Sequence, residues 1–85
     1  IALASAYDVP VIPHGNSAGT IHVLAAWPET TCPLLEYLFK WNEITQFFYK
    51  TPYRPVNGKV ALPTLPGLGI ELDPDKTARQ KTLTF

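Results

Sequence analysis

Eighty-five residues with 46% apolar side chains suffice for one small core and are too apolar for a chain disordered by composition. Seven basic residues balance seven acidic ones, which removes the charge bias that nucleic acid or an anionic membrane surface would require. No run approaches the roughly eighteen apolar residues of a membrane span, and the single cysteine, Cys32, permits no internal disulfide and suits a reducing cytoplasm.

The chain opens on helix-forming sequence, Ile1 to Tyr7, with no start methionine and no capping residue before Ile1. It lacks the basic segment and full apolar core of a signal peptide. The pattern reads as the last turns of a helix, with this chain the C-terminal piece of a larger protein. Asp8 and Pro10 end that helix, because the residue before a proline avoids the helical region. Val9–Pro13 follows as a strand. Val9, Val11 and Ile12 make it apolar on both faces, as a parallel strand covered by helices must be, and its two prolines sit near its ends.

The strand stops at His14, and the turn Gly15-Asn16-Ser17 leads into a helix capped by Asn16 or Ser17. That helix runs to about Trp27 and is stopped by Pro28, with Ile21, Leu24 and Ala25 on one face. Pro33–Leu38 is a second apolar strand with Glu36 in its middle. Helix, strand, helix, strand with short links is the sign of right-handed βαβ winding. In such folds functional groups collect at the ends of parallel strands. Histidine is the side chain that ordinarily titrates near neutral pH, so His14 and Glu36 at one mouth would form half of an acid–base site. Such strands need neighbours on both sides, expected from upstream sequence or from another chain.

Past Trp41 the character changes. Glu43–Lys50 reads as a short helix presenting Ile44, Phe47 and Phe48 and ended by Pro52. Asn57-Gly58 within Val56–Val60 is a type I′ hairpin signal. Pro66–Leu72 alternates with period two, as a strand does. Asp73-Pro74 starts a last helical turn, and the polar tail from Lys76 frays. Prolines concentrate between Pro52 and Pro74, which suits an extended wrapping segment.

Each candidate has a plainer reading. His14 could be a loop histidine capping a carbonyl, and Glu36 a paired or half-exposed strand glutamate. Asn16 and Ser17 could touch a substrate, but capping explains them equally well, and Trp41 could line a pocket or simply pack. His22 reads as structural, Cys32 as a small buried hydrophobe, and Arg54 and Lys59 as surface charges. The Gly67-x-Gly69 pair is no phosphate loop, because no helix follows it directly.

Four blocks carry a resemblance: Ala4–Gly15, Pro33–Tyr37, Pro55–Val60 and Pro66–Leu72. In order and approximate spacing they resemble the end of the enolase superfamily, in its mandelate racemase subgroup, and most of all the acid-sugar dehydratases of the L-rhamnonate type. The resemblance implies an α/β fold, the C-terminal part of a modified TIM barrel plus a segment returning to an α+β capping domain. Residues 1–51 would supply the barrel part, with Val9–Pro13 as seventh strand and Pro33–Leu38 as eighth. Residues 52–85 would join the cap.

The resemblance further implies a lyase that removes the proton α to a Mg²⁺-bound carboxylate, passes through an enediolate and expels the 3-hydroxyl to give a 2-keto-3-deoxy acid. His14 takes the place of the base. Glu36 matches the glutamate that hydrogen-bonds the substrate carboxylate, and Asn16, Ser17 and Trp41 stand near the substrate. The implied partners are a sugar acid and further copies of the chain in a homo-oligomer. Only Glu36 among the acidic residues lies on an expected barrel strand, so the Mg²⁺ ligands are expected upstream and this piece alone is expected to be inert. A racemase or epimerase of the same subgroup, and a non-catalytic barrel remnant, are the alternatives.

Overall fold

The computed structural model describes residues 1–15 and 17–84, and the expectations attached to Asn16 lie outside them. Helix α1 (Ala2–Ala6) stops where the sequence places its end. Asp8 takes a left-handed φ of 55°. The Val9 N–H reaches back to the Ala4 carbonyl at 2.9 Å and the Asp8 N–H to that of Ser5 at 3.2 Å. This paired closure satisfies carbonyls that a helix end otherwise orphans.

Helix α2 (Ala18–Ala25) starts on Ser17, whose Oγ accepts the Thr20 N–H at 3.3 Å. It buries Ala18, Ile21 and Leu24 at helical spacing. Ala18 and Ile21 meet Tyr53, and Leu35, Tyr37, Tyr49, Val60 and Ile70 pack around them. The core therefore draws on α2, the second apolar segment and the C-terminal region together.

The two expected strands form neither helix nor strand and lie outside any ladder among the described residues. A parallel ladder needs partner strands, and Pro10 and Pro13 carry no N–H to donate. Their mutual course is nevertheless set. The Val11 N–H, in the middle of the first segment, donates at 2.8 Å to the carbonyl of Thr31, two residues before the second. Gly15, two residues past the first segment, meets Glu36 within the second. Both segments therefore run in the same direction.

Helix α3 spans Phe39–Thr45, about one turn earlier than the apolar spacing suggests. Its inward face is polar: Asn42 and Gln46 are buried, whereas Ile44, Phe47 and Phe48 are exposed. The amides satisfy one another, with Gln46 Nε2 donating to Asn42 Oδ1 at 2.6 Å. Gln46 Oε1 accepts the Tyr53 N–H at 2.7 Å, and Asn42 Nδ2 donates to the Leu38 carbonyl at 3.1 Å. Buried polar groups are tolerated when paired in this way.

Strands β1 (Pro55–Val56) and β2 (Lys59–Val60) pair antiparallel. Asn57 at φ 51° and Gly58 at φ 74° form the expected turn. Pro66–Leu72 is not the strand its alternation suggests, because Gly67 and Gly69 both adopt positive φ and bend it. Only Leu72 is bridged, antiparallel to Tyr49. A 3₁₀ turn at Pro74–Lys76 follows, with Asp73 Oδ1 accepting the Asp75 N–H. None of the described helices is long and apolar enough to cross a membrane.

The accessible surface is 6861 Å², against about 5,000 Å² for a folded monomer of this mass. The radius of gyration is 15.1 Å, against about 12 Å for a compact domain of this length. Large apolar side chains, Val9, Ile12, Leu34 and Phe39 among them, remain exposed.

Candidate functional site

The turn after the first segment places His14. Gly15 takes a φ of +98°, and a Cβ there would meet nothing within 4 Å. The glycine is thus required by backbone conformation, not by space. In that conformation its N–H donates to Glu36 Oε2 at 3.2 Å. His14 Nδ1 lies 2.8 Å from the same oxygen. Two consecutive residues therefore converge on one carboxyl oxygen, one through the backbone and one through the ring.

The pair stands open: the His14 side chain is 83% exposed and that of Glu36 37%. Ion pairs so exposed contribute only about 0–1 kcal/mol. What the contact supplies is orientation, because with Nδ1 engaged the second ring nitrogen, Nε2, is the one left for chemistry. Glu36 in turn sits beside a firmly held residue. Tyr37 packs against the core, and its hydroxyl donates to the Tyr53 carbonyl at 3.1 Å.

Ser17 is engaged in capping α2. Trp41 lies on α3 and is exposed. His22 Nε2 lies 3.1 Å from the Leu68 carbonyl, a contact between α2 and the Gly67–Gly69 bend. Cys32 is half-buried and unpaired by any disulfide. Arg54 and Lys59 are exposed, and Arg54 meets Glu43 at 3.0 Å.

Two features of the site escape the sequence. The first is the Gly15 N–H, a donor that every residue but proline carries and that only its direction makes useful. The second is Tyr53, which closes the polar cluster beneath Tyr37. Burial pushes its hydroxyl up to about 12, with Tyr49 and then Tyr37 adding to the effect. Among the described residues no group of three or more His, Cys, Asp or Glu side chains comes together as a metal site would need.

Comparison with known proteins adds an independent line. The family described as Enolase C-terminal domain-like matches residues 1–76. A protein of Caldivirga maquilingensis named "Putative L-rhamnonate dehydratase" is 36% identical over 84 aligned positions, covering 92% of this chain and 21% of its own. An L-rhamnonate dehydratase of Saccharopolyspora erythraea is 30% identical over 86 positions, covering 93% and 21%. The chain thus spans about a fifth of the length of the relatives it matches. No solved structure matches it significantly.

Proposed function

Because this chain belongs to the enolase C-terminal domain-like family, we propose that the protein carrying it is an acid-sugar dehydratase, with His14 as base and then acid and Glu36 as support for the substrate carboxylate. The observation that carries this reading is the convergence of His14 and Gly15 on Glu36, between two segments running in one direction. The names of the relatives point to the same chemistry.

In this mechanism His14 Nε2 takes the proton α to the carboxylate, and the electron pair left on the carbon spreads into that carboxylate. The pair then expels the 3-hydroxyl, which departs as water with the proton His14 carries. The resulting enol becomes a 2-keto-3-deoxy acid, one water lighter than the substrate. In this reading the Glu36 side chain is the hydrogen-bonding group that meets the substrate carboxylate as its charge grows. One such preorganised group is worth about 3–4 kcal/mol of barrier.

The residues present do not fit a magnesium site, since no carboxylate cluster is found among those described. In this reading the Mg²⁺ ligands and the remaining staves of the barrel are supplied from outside the chain, and the extended surface and exposed apolar segments support that view. No step above runs through the metal.

The test is product analysis on the intact protein with L-rhamnonate and a panel of other sugar acids. The expected result is a 2-keto acid, with His14→Gln slowing its formation about 10²–10⁴-fold. Exchange of the α-deuterium without keto-acid product would replace this reading with an epimerase, and absence of both with a non-catalytic barrel.

A further inference from the structure

We propose that Gln46 is a positioning residue for the site: it ties the two residues that follow Glu36 to the backbone of Tyr53, and so fixes where the Glu36 side chain stands. The proposal rests on the reading of Glu36 as the group that meets the substrate carboxylate. It places control of that group behind its own segment, where α3 meets the C-terminal region.

Two hydrogen-bonded routes run from Tyr53 to the neighbours of Glu36. In the first, the Tyr53 N–H donates to Gln46 Oε1 at 2.7 Å, Gln46 Nε2 to Asn42 Oδ1 at 2.6 Å, and Asn42 Nδ2 to the Leu38 carbonyl at 3.1 Å. Its two ends fix its direction. A backbone N–H only donates and a carbonyl only accepts, so each side-chain amide has one permitted orientation. In the second route the Tyr37 hydroxyl donates to the Tyr53 carbonyl at 3.1 Å, and Gln46 Nε2 lies 3.5 Å from that hydroxyl. Side chains thus hold both backbone polar groups of Tyr53, and Gln46 takes part in both routes.

The helix is turned so that this can happen. α3 and the turn after it bury Asn42 and Gln46, at 1% and 5% exposure, while Ile44, Phe47 and Phe48 stay in the open. Burial of apolar surface alone would favour the opposite rotation. Apolar packing has no preferred direction, whereas a hydrogen bond weakens steeply as its angle departs from the optimum. The buried amides therefore hold position more strictly than the apolar face could. What they hold is the chain immediately after Glu36, whose own Oε2 accepts the Gly15 N–H at 3.2 Å. The segment is fastened from both sides.

The experiment measures kcat/KM of the intact protein on L-rhamnonate and the same panel of sugar acids for Gln46→Met, in the wild-type background and in Glu36→Leu. Methionine keeps the length of the side chain and removes its amide contacts. The expected loss in the wild-type background is about 10–10²-fold, the scale of a small misplacement of a positioned group. In Glu36→Leu the same substitution is expected to change kcat/KM less than about twofold, because the group it positions is gone. The thermal midpoint falls in both backgrounds. A lower midpoint with kcat/KM unchanged in the wild-type background would overturn the proposal and leave Gln46 a structural residue. Equal losses in the two backgrounds would overturn it as well, since the effect would not run through Glu36. Should Gln46→Met fail to fold, Tyr37→Phe removes the second route alone and is read in the same two backgrounds by the same criterion. Wild-type protein that turns over none of the acids removes the proposed reaction, and the tie is then read by amide hydrogen exchange. Faster exchange over residues 34–38 in Gln46→Met supports it, and unchanged exchange overturns it.

Discussion

Gly15 joins local conformation to the site in a single residue. Its φ of +98° aims its N–H at Glu36 Oε2, and side chains with a Cβ resist that region. Gly15→Ala is therefore expected to cost about 1–2 kcal/mol of stability, although no neighbour would be struck. Thermal unfolding of the intact protein measures the loss, and an unchanged midpoint would show that the turn relaxes freely. That His14 and Glu36 come together is legible in the sequence, because two consecutive segments of this kind are expected to open on one mouth. Their meeting distance is not legible, since it depends on how the Gly15 turn closes. Ser17 is legible as a helix cap for a different reason: short hydroxyl side chains there satisfy a donor that the helix itself cannot.

Helix α3 shows where pattern reading fails at the scale of an element. Ile44, Phe47 and Phe48 have helical spacing, yet the buried residues are Asn42 and Gln46. Periodicity counts apolar side chains, and it cannot register a face that is buried because its amides satisfy each other and the Tyr53 backbone. The hairpin was readable for the opposite reason, since the two residues of its turn alone determine its geometry. Tyr53 fastens the C-terminal region to this face, and its hydroxyl is raised from 10.0 to about 12 by burial first and neighbouring tyrosines second. Above pH 10 the unfolded chain gives up this proton while the folded one retains it, so stability falls as pH rises from 10 to about 12. Chemical denaturation across that window should show a shallower decline in Tyr53→Phe than in the wild type. Equal slopes would mean that Tyr53 ionises alike in both states.

At the scale of the whole molecule, the fold class is readable from the succession of helix and apolar segment, but the sheet it implies is not assembled. A parallel strand is stable only between neighbours, and Val9–Pro13 and Pro33–Leu38 lie outside any ladder among the described residues, with Val9, Ile12 and Leu34 exposed. The excess surface and large radius of gyration go together with these exposed apolar segments. The relation between the two segments is set by the Val11–Thr31 and Gly15–Glu36 hydrogen bonds, and the proposed chemistry depends on it. The most direct measurement is a double-mutant cycle on the intact protein, comparing kcat/KM of wild type, His14→Gln, Glu36→Leu and the double variant. If the two side chains act as one unit, the double variant is no more than a few-fold slower than the slower single variant. Losses that multiply would mean that His14 and Glu36 work independently, which would contradict a shared site.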